Sequence, residues 1–159
     1  MSIPAEHRDL FATYTRGPAI VREAITGLDA AGIAARGGEE WSIRDILHHI
    51  ADAEMVRGVR LRMAIADEET PDFVRFDEAR WQRRLQYLWR SPEASLALYE
   101  QLCFGNAEIL SHCERAAWER HGNHLTEGPL TVAQLLTKGV EHAANHAAQI
   151  TTIRERIRK

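Results

Sequence analysis

The stretch from Gly139 to Ile150 sets His142 and His146 four residues apart, with Leu135, Ile150, Ile153 and Ile157 around them at helical spacing. At about 100° per residue, both imidazoles therefore fall on the apolar stripe of a long helix. Side chains four apart on a helix stand one above the other, with about 5–6 Å between Cβ atoms. That spacing lets two imidazoles grip one ion, as in helical zinc sites. Gly139 lies on the same stripe, one turn earlier, and its missing side chain predicts room for a ligand beside the pair. The alternative is two core histidines bonded to carbonyls or water, because a polar group buried without a partner costs a few kcal/mol.

A helix with such a stripe needs other helices to cover it, and the chain supplies them. Leu10, Tyr14, Val21, Ile25 and Leu28 recur at helical spacing from Glu6 to about Leu28, with Gly17 and Pro18 expected to kink or interrupt that helix. Glycines at 27, 32, 37 and 38 then punctuate a connection with at most a short helical turn. Ser42, followed three residues later by Asp45, is the signature of an N-cap with a capping box. It predicts a second helix from Ile43 to about Ala66, with Ile43, Ile46, Leu47, Ile50, Ala53, Leu61 and Ala64 on its apolar face. His49 borders that face, whereas His48 projects near Asp45 and Asp52 and is assigned outward. Glu54, Arg57 and Arg60 fall on or near the inward side, either as a structural ion pair with snorkelling side chains or as the polar lining of a pocket.

An acidic segment broken by Pro71 predicts a loop over one end of the helices, closed by Phe73, Phe76 and Trp81, and a short helix from Glu78 to Trp89. Ser91 and Pro92 open a third long helix to about Arg115. A second loop, from His121 to Pro129, carries His124, and Thr131 caps the final helix. Four long helices, short extra ones and no convincing strand make an all-α four-helix bundle, a fold that builds metal sites from inward residues on facing helices.

The 159 residues suffice for one domain spanning 1–159 with a substantial core, and no repeat, low-complexity tract or linker divides them. A formal charge of −3 leaves no basic footprint for nucleic acid and no polybasic membrane anchor. No apolar run approaches the about 18 residues of a membrane span. The opening residues Met1 to Arg8 lack the order of a signal peptide, so a cytoplasmic location is expected. Cys103 and Cys113 lie about 15 Å apart along one helix and are read as reduced packing residues.

The segment Trp41-Ser42-Ile43-Arg44-Asp45-Ile46-Leu47-His48-His49-Ile50-Ala51-Asp52-Ala53-Glu54 closely resembles the helix signature of the DinB/YfiT-like family. Leu61-Arg62, Phe76-Asp77, Gly128-Pro129-Leu130-Thr131 and the His142 to Ile150 run continue the resemblance in order, over nearly the whole chain. It implies a four-helix bundle and a divalent metal on three histidines, here His49, His142 and His146. It also implies an enzyme related to thiol S-transferases or metal-dependent hydrolases, often a homodimer.

Three neutral imidazoles leave an open position on a metal, the pattern of catalytic rather than structural sites. Imidazole suits several metals; zinc or nickel is expected first, with iron and manganese behind them. The leading expectation is an enzyme in which the metal activates a low-molecular-weight thiol against a small-molecule electrophile. In it, Arg57 or Arg60 binds a carboxylate of the thiol cofactor. The second is hydrolysis of an amide or ester with Glu54 as general base and Arg57 beside it. The third is a metal-binding module without turnover, its site closed by His124 as a fourth ligand.

Overall fold

The computed structural model describes residues 3–158. Met1 and Ser2, part of the stretch read against a signal peptide, and Lys159, the end of the expected domain, lie outside the described residues. Four long helices dominate: α1 (Arg8–Ile25), α3 (Ile43–Ala66), α5 (Pro92–His112) and α6 (Val132–Ile157). Short helices α2 (Ala30–Ala34) and α4 (Glu78–Arg84) sit in the connections, with 3₁₀ turns at Ala5–His7, Tyr87–Trp89 and Arg115–Glu119. Helix α1 packs on α5 and α6, and α3 packs on the same two. The four therefore stand round a square in the order α1, α6, α3, α5, with chain neighbours α1 and α3 across one diagonal. This places α3 beside α6, the two helices that carry the histidines.

Local chemistry fixes the helix ends. Ser42 Oγ accepts from Asp45 N at 3.1 Å while Asp45 Oδ2 accepts from Ser42 N at 2.9 Å, a complete capping box. Thr131 and Gln134 repeat the device at α6. Arg120 Nε donates to Ala64 O at 2.7 Å, satisfying a carbonyl in the last turn of α3. Helix α1 runs unbroken through Pro18, where a kink or an interruption was expected. At Gly17 an added Cβ would lie 3.1 Å from the Tyr99 hydroxyl, so this glycine serves close packing against α5 and not a break.

Three further expectations are corrected. A β-hairpin, β1 (His121–His124) paired with β2 (Gly128–Thr131), stands where only a loop was expected. Its edge is held by Asn123, whose N–H donates to Pro71 O and whose carbonyl accepts from Phe73 N. A Cβ at Gly122 would come within 2.3 Å of the Phe73 ring, so the acidic loop closes on the hairpin through a glycine. Helix α4 stops at Arg84 and not Trp89, because Gln86 takes a left-handed backbone (φ 54°) before the 3₁₀ turn. Third, His48 is not outward.

The side of α3 that carries His48 is covered by that 3₁₀ turn and by α5. His48 is 0% exposed, its Nδ1 2.7 Å from Ser95 Oγ and its ring edge-on to Tyr87. Asp52 beside it accepts from Tyr87 Oη at 2.8 Å and from both terminal nitrogens of Arg90. Helix α3 is thus wrapped on more than one face, which its nearly unbroken run of buried residues from Ile43 to Glu54 reflects. The apolar core proper, with Ile43, Ile46, Ile50, Leu110, Leu136 and Ile150, fills the space between the helices.

Candidate metal centre

His49 from α3 and His142 and His146 from α6 meet at the α3–α6 seam, each offering a ring nitrogen, all within 4.8 Å of one another. His49 Nε2 and His142 Nε2 lie 2.8 Å apart, and the three rings pack edge to face. His49 is 2% exposed; the other two are half-buried. Burial, then the neighbouring His146, pushes His49 down to about 3. Burial and the nearby Arg57 guanidinium push His142 down to about 2. Burial also lowers His146. All three rings are therefore neutral near pH 7, the state in which imidazole binds metal.

The donor set fits a divalent ion. His146 Nδ1 lies 3.0 Å from Gln149 Oε1. A carbonyl oxygen only accepts, so Nδ1 carries the hydrogen and Nε2 presents its lone pair to the cluster. Metal–nitrogen bonds of about 2.0–2.1 Å are compatible with a group of this span. His49 Nδ1 is buried with no hydrogen-bond partner, so the protein fixes the tautomer of His146 more firmly than that of His49. Gly139 opens no room here: Tyr14 and Arg57 fill the space, each within 3.3 Å of where its Cβ would stand.

The other residues singled out from sequence are placed elsewhere. Glu54 is 1% exposed and accepts from Tyr14 Oη, from Asn106 Nδ2 at 2.8 Å and from Arg57 Nη1. Burial alone would work against the Arg57 charge, but Glu54 and Tyr14 outweigh it and raise its pKa. Glu54 and Arg57 are thus a buried, paired unit behind the histidines. Arg60 Nη2 donates to Val74 O at 2.7 Å and lines a separate small pocket with Phe76 and His124. His124 Nδ1 lies 3.6 Å from Glu127 Oε1 and is not part of the histidine group.

The acidic rim of the site escaped the sequence reading. Glu78, the first residue of α4, places Oε2 3.7 Å from His49 Nε2. Glu39 and Glu40 stand with it around a cleft of about 290 Å³ that reaches His49 and His146 past Trp41. Phe76 stacks on His49 at 5.9 Å and is braced edge-on by Trp81. The available signal for Glu78 was Asp77, an N-cap whose side chain accepts from Arg80 N and so fixes where α4 begins.

With this arrangement in view, the similarities to known proteins are specific. The sequence pattern of the DinB superfamily matches residues 13–150. A relative from Oceanobacillus iheyensis, carrying the provisional name of a metal-dependent hydrolase, is 31% identical over 73% of this chain. That match spans 66% of the relative, just under two thirds of its length. The solved structure of YfiT from Bacillus subtilis, described as an unusual four-helix bundle, superposes with a TM-score of 0.87 at 26% identity, covering 98% of this chain and 90% of that one. A mycothiol-dependent maleylpyruvate isomerase shares the fold alone, at a TM-score of 0.73 and 15% identity, over 94% of this chain and 63% of its own. By sequence pattern and by bundle architecture, this chain belongs to the DinB superfamily.

Proposed function

We propose that this protein is a metal-dependent enzyme in which His49, His142 and His146 hold one divalent ion, zinc or nickel, and that its reaction is hydrolysis of a neutral or cationic amide or ester. The observation that carries the reading is the convergence of three neutral imidazoles, two of which, His49 and His146, line a cleft that also bears a carboxylate, Glu78. A divalent ion held there supplies Lewis acidity and a more acidic nucleophile.

The chain's own residues supply the rest. Glu78 stands where it can take the proton of a nucleophile arriving in the cleft and return it to a leaving amine or alkoxide. Gln149 holds the tautomer of His146. Trp41 packs edge-on and Phe76 face-on against the His49 ring, holding its orientation. Glu54 and Arg57 position from behind: Glu54 ties α3, which carries His49, to Tyr14 of α1 and Asn106 of α5, and Arg57 keeps a positive charge near His142.

Thiol S-transfer draws less support. Arg57 is paired with Glu54, Arg60 is spent on the Val74 carbonyl, and the cleft rim carries Glu40 and Glu78, with Glu39 paired to Arg156. An anionic thiol cofactor would meet carboxylates on entry. The relatives' provisional name as metal-dependent hydrolases points the same way. The test is a screen of metal-loaded protein against amine-bearing and anionic amides and esters, with and without low-molecular-weight thiols. Thiol-independent turnover lost in Glu78→Gln supports the proposal. Turnover that consumes a thiol overturns it in favour of S-transfer.

A further inference from the structure

A second cleft, of about 440 Å³, opens on the far side of α4 from the metal centre, within the size range of small-molecule sites. Among its walls are Arg36 before α3, Arg44 and Asp45 in the first turn of α3, and Arg83, Gln86 and Tyr87 at the end of α4. Three guanidinium groups thus face one carboxylate. That carboxylate is already committed: Asp45 accepts from both the N–H and the hydroxyl of Ser42 and has Arg36 at 3.5 Å.

Arg44 is the pivotal side chain. Its Nη1 donates to Leu88 O at 2.8 Å, anchoring the guanidinium at the cleft wall, and the group makes no ion pair among the described residues. Arg83 is exposed and makes no ion pair among the described residues. Gln86 holds φ at 54°, a conformation costly for a residue with a side chain, and it is this turn that brings the Gln86 amide to the cleft wall. Two guanidinium groups without an ion pair, Arg44 and Arg83, thus converge on one cavity, and neither belongs to the metal centre.

We propose that this cleft is a binding site for a small organic or inorganic anion, a carboxylate or a phosphate, held by Arg44 and Arg83. Planar guanidinium forks match both anions. The site is separate from the histidine cleft, although α4 borders both: Glu78 faces His49 and Arg83, five residues on, faces the anion.

The test is calorimetric titration of inorganic phosphate, and separately of citrate, into the full chain. Wild type, Arg83→Gln, Arg44→Gln and His142→Ala are compared. Saturable binding of either probe, weakened about tenfold or more in Arg83→Gln and Arg44→Gln and retained in His142→Ala, supports the site. Binding of phosphate alone or citrate alone assigns the anion's source. Arg83 is exposed, so its variant reports on binding even if Arg44→Gln fails to fold. The proposal is overturned if neither probe binds up to on the order of 10 mM. It is equally overturned if Arg83→Gln binds as wild type does, or if His142→Ala abolishes binding, which would place the anion on the metal.

Discussion

His48 and His49 are adjacent in sequence, yet α3 turns them toward different neighbours. His49 meets His142 and His146, while His48 bonds Ser95 on α5. Substituting His49 by alanine should abolish tight metal binding. His48→Ala should leave it intact and instead cost about 1–3 kcal/mol of stability in urea unfolding, because Ser95 loses a buried partner. Gln149→Ala should weaken metal affinity by about 10–100-fold in a chelator competition, the usual effect of removing a group that orients a ligand. Glu54 behaves differently again. Its carboxylate neutralises Arg57 in the bundle interior, so Glu54→Ala should destabilise by about 3–5 kcal/mol while the metal stoichiometry of the folded fraction is unchanged. Loss of metal at full stability would show that Glu54 acts on the ion.

Elements were legible where their ends carry side-chain chemistry. Helix α3 begins and ends at the residues its capping box and periodicity predicted, Ile43 and Ala66, and Thr131 caps α6 as read. Helical facing also identified His49 over His48 as the partner of His142 and His146, because a 100° step separates neighbouring side chains. The same reasoning could not see what covers the other side of α3. Tyr87 and Ser95 arrive from distant parts of the chain, and only tertiary packing makes His48 a core residue. The hairpin was hidden for another reason: four-residue strands are too short for alternation to register, and Gly122 and Pro129 argue against strand locally. Gly122 nevertheless fits only as glycine against Phe73, so Gly122→Ala should lower the midpoint of thermal unfolding and loosen the acidic loop that carries Phe76 over His49. Hydrogen exchange across residues 70–77 would register the loosening. Glu78 stayed unassigned because the path of that loop, and not any spacing, sets its distance from His49.

At the scale of the whole molecule, the buried neutral histidines tie stability to pH. His48, pushed to about 4 by burial and the Arg90 charge, and His49, pushed to about 3, stay unprotonated in the folded state well below the ordinary value of 6.5. Unfolded chains bind those protons from about pH 6.5 downward. The unfolded state then holds more protons than the native state, so unfolding free energy rises with pH in this window and falls as pH drops from 6.5 toward 4. Each such histidine contributes a slope of about 1.4 kcal/mol per pH unit. Metal-free protein should therefore have its denaturation midpoint lowered steadily between pH 6.5 and 4, and His48→Ala should flatten that dependence. No helix among the described residues is long and apolar enough to cross a membrane.

The most direct measurement is the metal content of untagged protein, by elemental analysis, for wild type, His49→Ala and His48→Ala. A three-histidine centre at the α3–α6 seam predicts one divalent ion per chain in wild type and in His48→Ala, and essentially none in His49→Ala. Equal retention or equal loss in the two variants, or no metal in wild type even after incubation with zinc or nickel, would contradict it.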